Sequence, residues 1–180
     1  MPFNFIKTEI LEVIYIEPKK FNDERGYFLE KYKKSDFYNN GIKYDFIQDN
    51  LSFSRKNVLR GLHFQNKPYG QGKLVSVISG RILDVAVNID CNSLYYKKYV
   101  MRELSSAKNN MLFIPPNYAH GFYALEDSLV YYKTTNEYNK DSDSGIIWND
   151  PEINIKWPAN EPELSDKDKH WKKLIDTKIF

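Results

Sequence analysis

The chain has 180 residues, 42% of them hydrophobic, which suits one domain with a sizeable core and argues against general disorder. Its 26 basic and 24 acidic side chains leave a net charge of +2, without the concentrated basic surplus of a dedicated nucleic-acid binder. The single cysteine, Cys91, excludes an intramolecular disulfide and any multi-cysteine metal site.

The opening MPFNFIKTEI has neither a long apolar core nor a small-residue cleavage pattern, so no secretory signal is expected. No stretch approaches the ~18 apolar residues of a membrane span, and a soluble cytoplasmic protein is expected. Residues Glu9–Pro18 form an apolar run stopped by proline, and FNDERGYFLEKY then sets a polar turn before an aromatic strand edge. Ser35 and Asp36 can cap a helical turn over Ser35–Asn40, and Gly41 can end it. Strands are expected at Lys43–Asn50 and Val58–Gln65. The segment LVSVISGRILDVAVNI, with Ser79-Gly80 between two β-rich runs, predicts a hairpin. Further strands are expected at Tyr99–Glu103, Asn110–Ile114, Gly121–Leu125 and Ser128–Thr134. Only the tail SDKDKHWKKLI reads as helical or irregular. Strands every 8–12 residues or so, with no internal repeat or linker, predict one all-β sandwich or barrel. Fourteen Tyr and eleven Phe suit sheet surfaces and stacking pockets.

Three histidines are present: His63 in VLRGLHFQ, His120 in IPPNYAHGF, and His170 in the charged tail, where it is expected to be solvated. Residue type alone leaves two readings of His63 and His120, as metal ligands inside a barrel or as core histidines satisfied by backbone. Metal-binding barrels place two histidines close together with a carboxylate nearby. Neither His63 nor His120 has a neighbouring histidine in the sequence, which argues against metal.

Eight segments taken in order resemble the dTDP-4-dehydrorhamnose 3,5-epimerase family of the cupin superfamily. They are DERGYFLE (Asp23–Glu30), QDNLSFS (Gln48–Ser54), VLRGLHFQ (Val58–Gln65), GKLVSVISGRILDVAV (Gly72–Val87), IPPNYAHGF (Ile114–Phe122), YKTTNEY (Tyr132–Tyr138), GIIWNDPEINIKWP (Gly145–Pro158) and LSDKD (Leu164–Asp168). The resemblance implies a cupin-type jelly-roll β-barrel over residues 1–180, with short helical segments near the C-terminus. It also implies a homodimer, no metal or organic cofactor, and a nucleotide-diphosphate 4-keto sugar as substrate. The implied reaction inverts C3 and C5 of a nucleotide-linked 4-keto-6-deoxy sugar. Both carbons flank a carbonyl, so inversion needs a base on one face, an acid on the other, and a stabiliser for the enolate oxygen.

By the same resemblance His63 is the base and Asp168 its carboxylate partner, which fixes the tautomer and stabilises the imidazolium. Tyr132 is the proton donor, since a phenol stays protonated at neutral pH. Strand alternation separates it from Tyr131, which is left to packing. Lys73 is the cation near O4. Arg25 and Arg60 suit diphosphate oxygens, because guanidinium presents a planar donor fork. Glu30, Gln48, Asn50, His120, Asp143 and Lys167 match positions that contact the nucleotide sugar, and Tyr138 matches the ring stacked on the base. Asp23 and Glu24 read as turn residues. Strict alternation puts Arg60 and His63 on opposite faces, so either Gly61 marks a bulge or Arg60 acts at the pocket rim. The segment Asn88–Val100 departs from the family pattern, lacking an arginine near Asp90 and a glycine near Lys97. Two further readings stay open: a C3 or C3/C5 epimerase of another nucleotide sugar, such as a GDP-4-keto heptose, and a non-catalytic nucleotide-sugar-binding barrel. Pure binding has no need of an opposed acid and base, and the four chemical residues together argue against the second.

Overall fold

In the computed structural model, which describes residues 2–179, alternation of inward and outward side chains along thirteen short strands decides the architecture. One sheet has the order β1 (Phe3–Lys7), β2 (Ile14–Pro18), β10 (Met111–Ile114), β7 (Lys73–Ser79), β12 (Ser128–Thr134) and β5 (Gln48–Ser54). The other runs β13 (Asp143–Gly145), β6 (Leu59–Gln65), β11 (Tyr118–Ala124), β8 (Arg81–Asn88) and β9 (Tyr99–Ser105). A separate ribbon pairs β3 (Phe21–Asp23) with β4 (Gly26–Phe28). Among the described residues no helix is long and apolar enough to cross a membrane.

The core between the sheets draws Val75, Val77, Leu112, Ile114 and Val130 from the first and Ile82, Ala86, Val100, Leu104 and Phe122 from the second. A second cluster covers the outer face of the five-stranded sheet, where Leu62, Phe64, Val85 and Val87 meet Ile146, Ile153, Ile155 and Leu174 of the C-terminal segment. A third packs Phe37 and Ile42 over Leu74, Met111 and Phe113. The result is the all-β fold that strand spacing predicts, in the cupin-like jelly-roll form that the resemblance implies.

Four local expectations are corrected. Ser79-Gly80 does not close a hairpin: β7 pairs with β10 and β12, whereas β8 pairs with β11 and β9. Gly80, at φ +85°, turns the chain from one sheet to the other, and a Cβ there would lie 2.3 Å from the Asp127 carbonyl oxygen. The strand expected at Lys43–Asn50 begins only at Gln48, because Tyr44 and Phe46 instead lie against Phe113. In Glu9–Pro18 only Ile14–Pro18 is strand; the Thr8 hydroxyl donates to the Ile10 and Val13 carbonyls and ties the preceding residues into a turn. Helix α1 (Lys34–Asn39) forms where expected, but Lys33 holds the N-cap position without a side-chain cap bond, and Ser35 and Asp36 lie inside the first turn. Beyond Asn88 the missing glycine has a physical trace, since Lys97 adopts φ +67°, a left-handed conformation that glycine takes without steric cost.

Candidate functional site

The site is built around a local irregularity in β6. His63 is the register partner of His120 on β11, and Arg60 is the partner of Phe122, so three residues of β6 span two of β11. This one-residue bulge puts Arg60 and His63 on the same face. Gly61 makes it possible: its φ is +141°, and a Cβ there would lie 2.6 Å from the Gly121 Cα. Arg60 then reaches across to the opposite sheet, donating from Nε to the Ser54 hydroxyl at 2.9 Å and from Nη2 to the Phe53 carbonyl at 3.0 Å.

His63 faces the short helix α2 (Asp166–Lys169), with Nε2 2.5 Å from Asp168 Oδ1. The carboxylate is 3% exposed and the imidazole 33%. Burial raises the Asp168 pKa, but hydrogen bonding and charge from His63, with hydrogen bonds from Ser165 and Trp171, outweigh it and hold the carboxyl below the usual range. An ionised carboxylate only accepts, so Nε2 carries the shared proton and Nδ1 is the basic nitrogen. Ser165 also caps α2, accepting from the Asp168 backbone N–H at 3.1 Å.

His120 makes a second such pair deeper in the barrel, with Nε2 2.7 Å from Asp84 Oδ1. Burial lowers the His120 pKa, against the opposing pull of Asp84. Asp84 is fully buried, and its Oδ2 has no hydrogen-bond partner among the described residues. Lys73, at the start of β7, is buried too; desolvation brings its pKa down to about 8, while Asp84 and Asp143 pull it up. Tyr132 lies on β12 opposite Val75 of β7 and Asn50 of β5. It packs against the inner core and takes a raised pKa from burial, with Arg60 pulling the other way. Tyr131 points outward, where its hydroxyl accepts from Lys133 Nζ at 3.3 Å.

A polar rim joins these groups. Gln48 donates to Asn50 Oδ1 at 2.9 Å and accepts from the Tyr138 backbone N–H at 2.9 Å. The Tyr138 hydroxyl donates to Asp143 Oδ2 at 3.0 Å, and Lys167 pairs with the same oxygen. The Tyr138 ring is left 55% exposed, free to stack. Bulge, dyads and rim thus bring His63, Asp168, Tyr132, Lys73, Arg60, His120, Gln48, Asn50, Tyr138, Asp143 and Lys167 into one constellation.

Arg25 and Glu30 are not part of it. Arg25 caps the ribbon turn, bound to Asp23 at 2.7 Å with 90% of its side chain exposed, and Asp23 has the turn role expected of it. Glu30 follows the ribbon and lines a recess with Pro2, Lys19, Phe21 and Phe28. His170 is exposed as expected. Sequence separation misled about the histidines, since His63 and His120 are neighbours across two strands. Each spends Nε2 on its own aspartate, and no set of three or more metal-ligating side chains converges among the described residues. Two residues were missed. Asp84 was visible as an acid inside the apolar run RILDVAV, whereas Trp171 carried no signal at all. A separate cleft of about 370 Å³, lined by Lys7, Glu12, Tyr44, Asn88, Asp90 and Tyr118, holds none of these site residues.

The arrangement offers an imidazole backed by a carboxylate, a half-buried phenol, a buried cation and a polar rim. Comparison with known proteins points the same way. Residues 7–176 match the family model described as dTDP-4-dehydrorhamnose 3,5-epimerase. The chain is 48% identical to the dTDP-4-dehydrorhamnose 3,5-epimerase of Shigella flexneri, covering 98% of this chain and 99% of that one. It is also similar to the crystal structure of the enzyme of that name from Sulfolobus tokodaii, with a TM-score of 0.92, 45% identity, and coverage of 100% and 99%. A third match is a dTDP-6-deoxy-D-glucose-3,5-epimerase from Legionella pneumophila in complex with dTDP-4-keto-L-rhamnose, with a TM-score of 0.94, 41% identity, and coverage of 98% and 95%.

Proposed function

The chain belongs to the dTDP-4-dehydrorhamnose 3,5-epimerase family, and on that premise we propose that it converts dTDP-4-dehydro-6-deoxy-D-glucose to dTDP-4-dehydro-L-rhamnose by two successive enolisations. The observation that carries the residue assignment is the 2.5 Å His63–Asp168 contact in a barrel that also buries Lys73 and half-buries Tyr132. His63 Nδ1 takes the proton from C3 and later from C5, and Asp168 stabilises the imidazolium that results. Electron density moves onto O4, where the Lys73 ammonium meets it in a site shielded from water. Tyr132 then delivers a proton from the opposite face, and its partial burial keeps the phenol protonated until that moment. Before the second enolisation the imidazolium gives its proton to solvent and the phenolate takes one back. Arg60 holds diphosphate oxygens, the Tyr138 ring stacks on the base, and Gln48, Asn50, His120, Asp143 and Lys167 orient the rest.

The same reading makes the protein a homodimer. Phe21, Tyr27 and Phe28 of the ribbon are 46%, 55% and 67% exposed, and Leu51 and Phe53 on the outward face of β5 are 61% and 56% exposed. Such an apolar surface is the kind that a second copy covers. Arg25 and Glu30, which lie on or beside this ribbon, then serve the second copy's substrate rather than their own. Incubation in deuterated water with dTDP- and GDP-linked 4-keto sugars, read by NMR, tests the function. Label at both C3 and C5 of the dTDP sugar is expected. Label only in the GDP sugar, or at C3 alone, would replace this substrate or this pair of inversions.

A further inference from the structure

Asp168 sits on a four-residue helix near the end of the chain, 105 residues from His63. One turn of helix has no stability of its own, so something outside it must hold the carboxylate 2.5 Å from the imidazole. The structure assigns that task to Trp171, as the positioning residue of the dyad, and this rests on the His63–Asp168 reading given above.

Three contacts close a ring. Gly145 on β13 is the register partner of His63. The Trp171 indole lies so close over Gly145 that a Cβ there would be 2.4 to 2.6 Å from Cε2, Cδ2 and Nε1. From that seat Nε1–H donates to Asp168 Oδ1 at 3.2 Å, the same oxygen that accepts from His63 Nε2. The indole is therefore a rigid spacer between the strand beside His63 and the carboxylate, and it selects which oxygen faces the imidazole. Its ring also stands edge-on to the imidazole, with centroids 6.3 Å apart, and Lys167 Nζ lies 5.1 Å above it. An indole nitrogen can only donate, so Trp171 takes no proton itself and acts through Asp168.

The test uses Trp171→Phe, which keeps a ring but loses the N–H, and Gly145→Ala, which displaces the indole without touching Asp168 or His63. A proton in so short a charge-assisted bond resonates far downfield, and it can be watched in the free enzyme. Both variants should shift or broaden the His63 imidazole resonance. Both should lower kcat for C3 exchange about tenfold, the effect of one lost hydrogen bond to a charged group, with KM nearly unchanged. In a Trp171→Ala background, Gly145→Ala should cost nothing more, because the indole it displaces is gone. An unchanged resonance and kcat in folded Trp171→Phe would reduce Trp171 to packing, as would full additivity of the two changes. If the resonance responds as expected but the wild-type protein exchanges no tested sugar, the positioning role stands and the substrate reading fails.

Discussion

Inside the barrel, Lys73, Asp84 and His120 keep only 8%, 0% and 6% of their surface, whereas on the ribbon Phe21, Tyr27 and Phe28 are rings left in water. Each region inverts the usual placement of its residue types, but the two differ in how that is compensated. The buried charges find partners within the chain: His120 bonds Asp84, and Lys73 feels both Asp84 and Asp143. Their desolvation is offset by the hydrogen bond and the opposite charges of these partners. The ribbon rings lack such burial: among the described residues β3 and β4 pair only with each other, and Lys19 and Lys20 lie over the Phe21 and Tyr27 rings. A buried polar cluster with internal partners is ready for a small ligand. A ribbon whose rings stay exposed beside Lys19 and Lys20 offers a face to another protein surface.

The comparison breaks most visibly in the barrel. His63→Ala should lower solvent exchange at both C3 and C5 on the order of 10³-fold, since one base begins each enolisation. Near-normal exchange at either carbon would remove His63 as the common base. Next in size, Lys73→Met should lower exchange on the order of 10²-fold through loss of the charge facing O4. Lys73 also fixes a pH limb. Its folded pKa of about 8 lies below the ordinary 10.5, so it is charged at lower pH and neutral above. Exchange in the wild-type protein should therefore fall as pH rises through about 8, and this limb should vanish in Lys73→Met. Tyr132 cannot produce that limb, because burial moves its pKa upward from 10.0. The smallest effect belongs to the ribbon: Phe28→Ser or Leu51→Ser alone should weaken self-association by about 1–2 kcal/mol. Sedimentation that shows a monomer in the wild-type protein, or a dimer indifferent to these changes, would end the interface assignment.

What the sequence made legible follows the range of the forces involved. Strand periodicity is local, and β6, β9, β10 and β12 lie within a few residues of their expected positions. Strand partners are not local. Ser79-Gly80 has hairpin chemistry, yet the same φ > 0 turn serves a crossing between sheets, and only the core beneath decides which. The site divides in the same way. Residue matches singled out Lys73, Tyr132 and Asp168, and strand alternation with Gly61 offered the bulge as one of two readings, between which only the register of β6 on β11 decides. Trp171 was illegible because its meaning depends on Gly145 leaving room for it, a fact of three-dimensional packing.

The most direct measurement of an opposed base and acid is Tyr132→Phe, which removes one oxygen and keeps the ring packed. In deuterated water His63 should still enolise the sugar and return deuterium from its own side, giving labelled but unepimerised substrate. Epimerised product should fall about 10²-fold or more while exchange stays within tenfold of wild type. Equal loss of exchange and epimerisation would contradict the opposed pair and leave Tyr132 as a group that positions substrate or polarises O4.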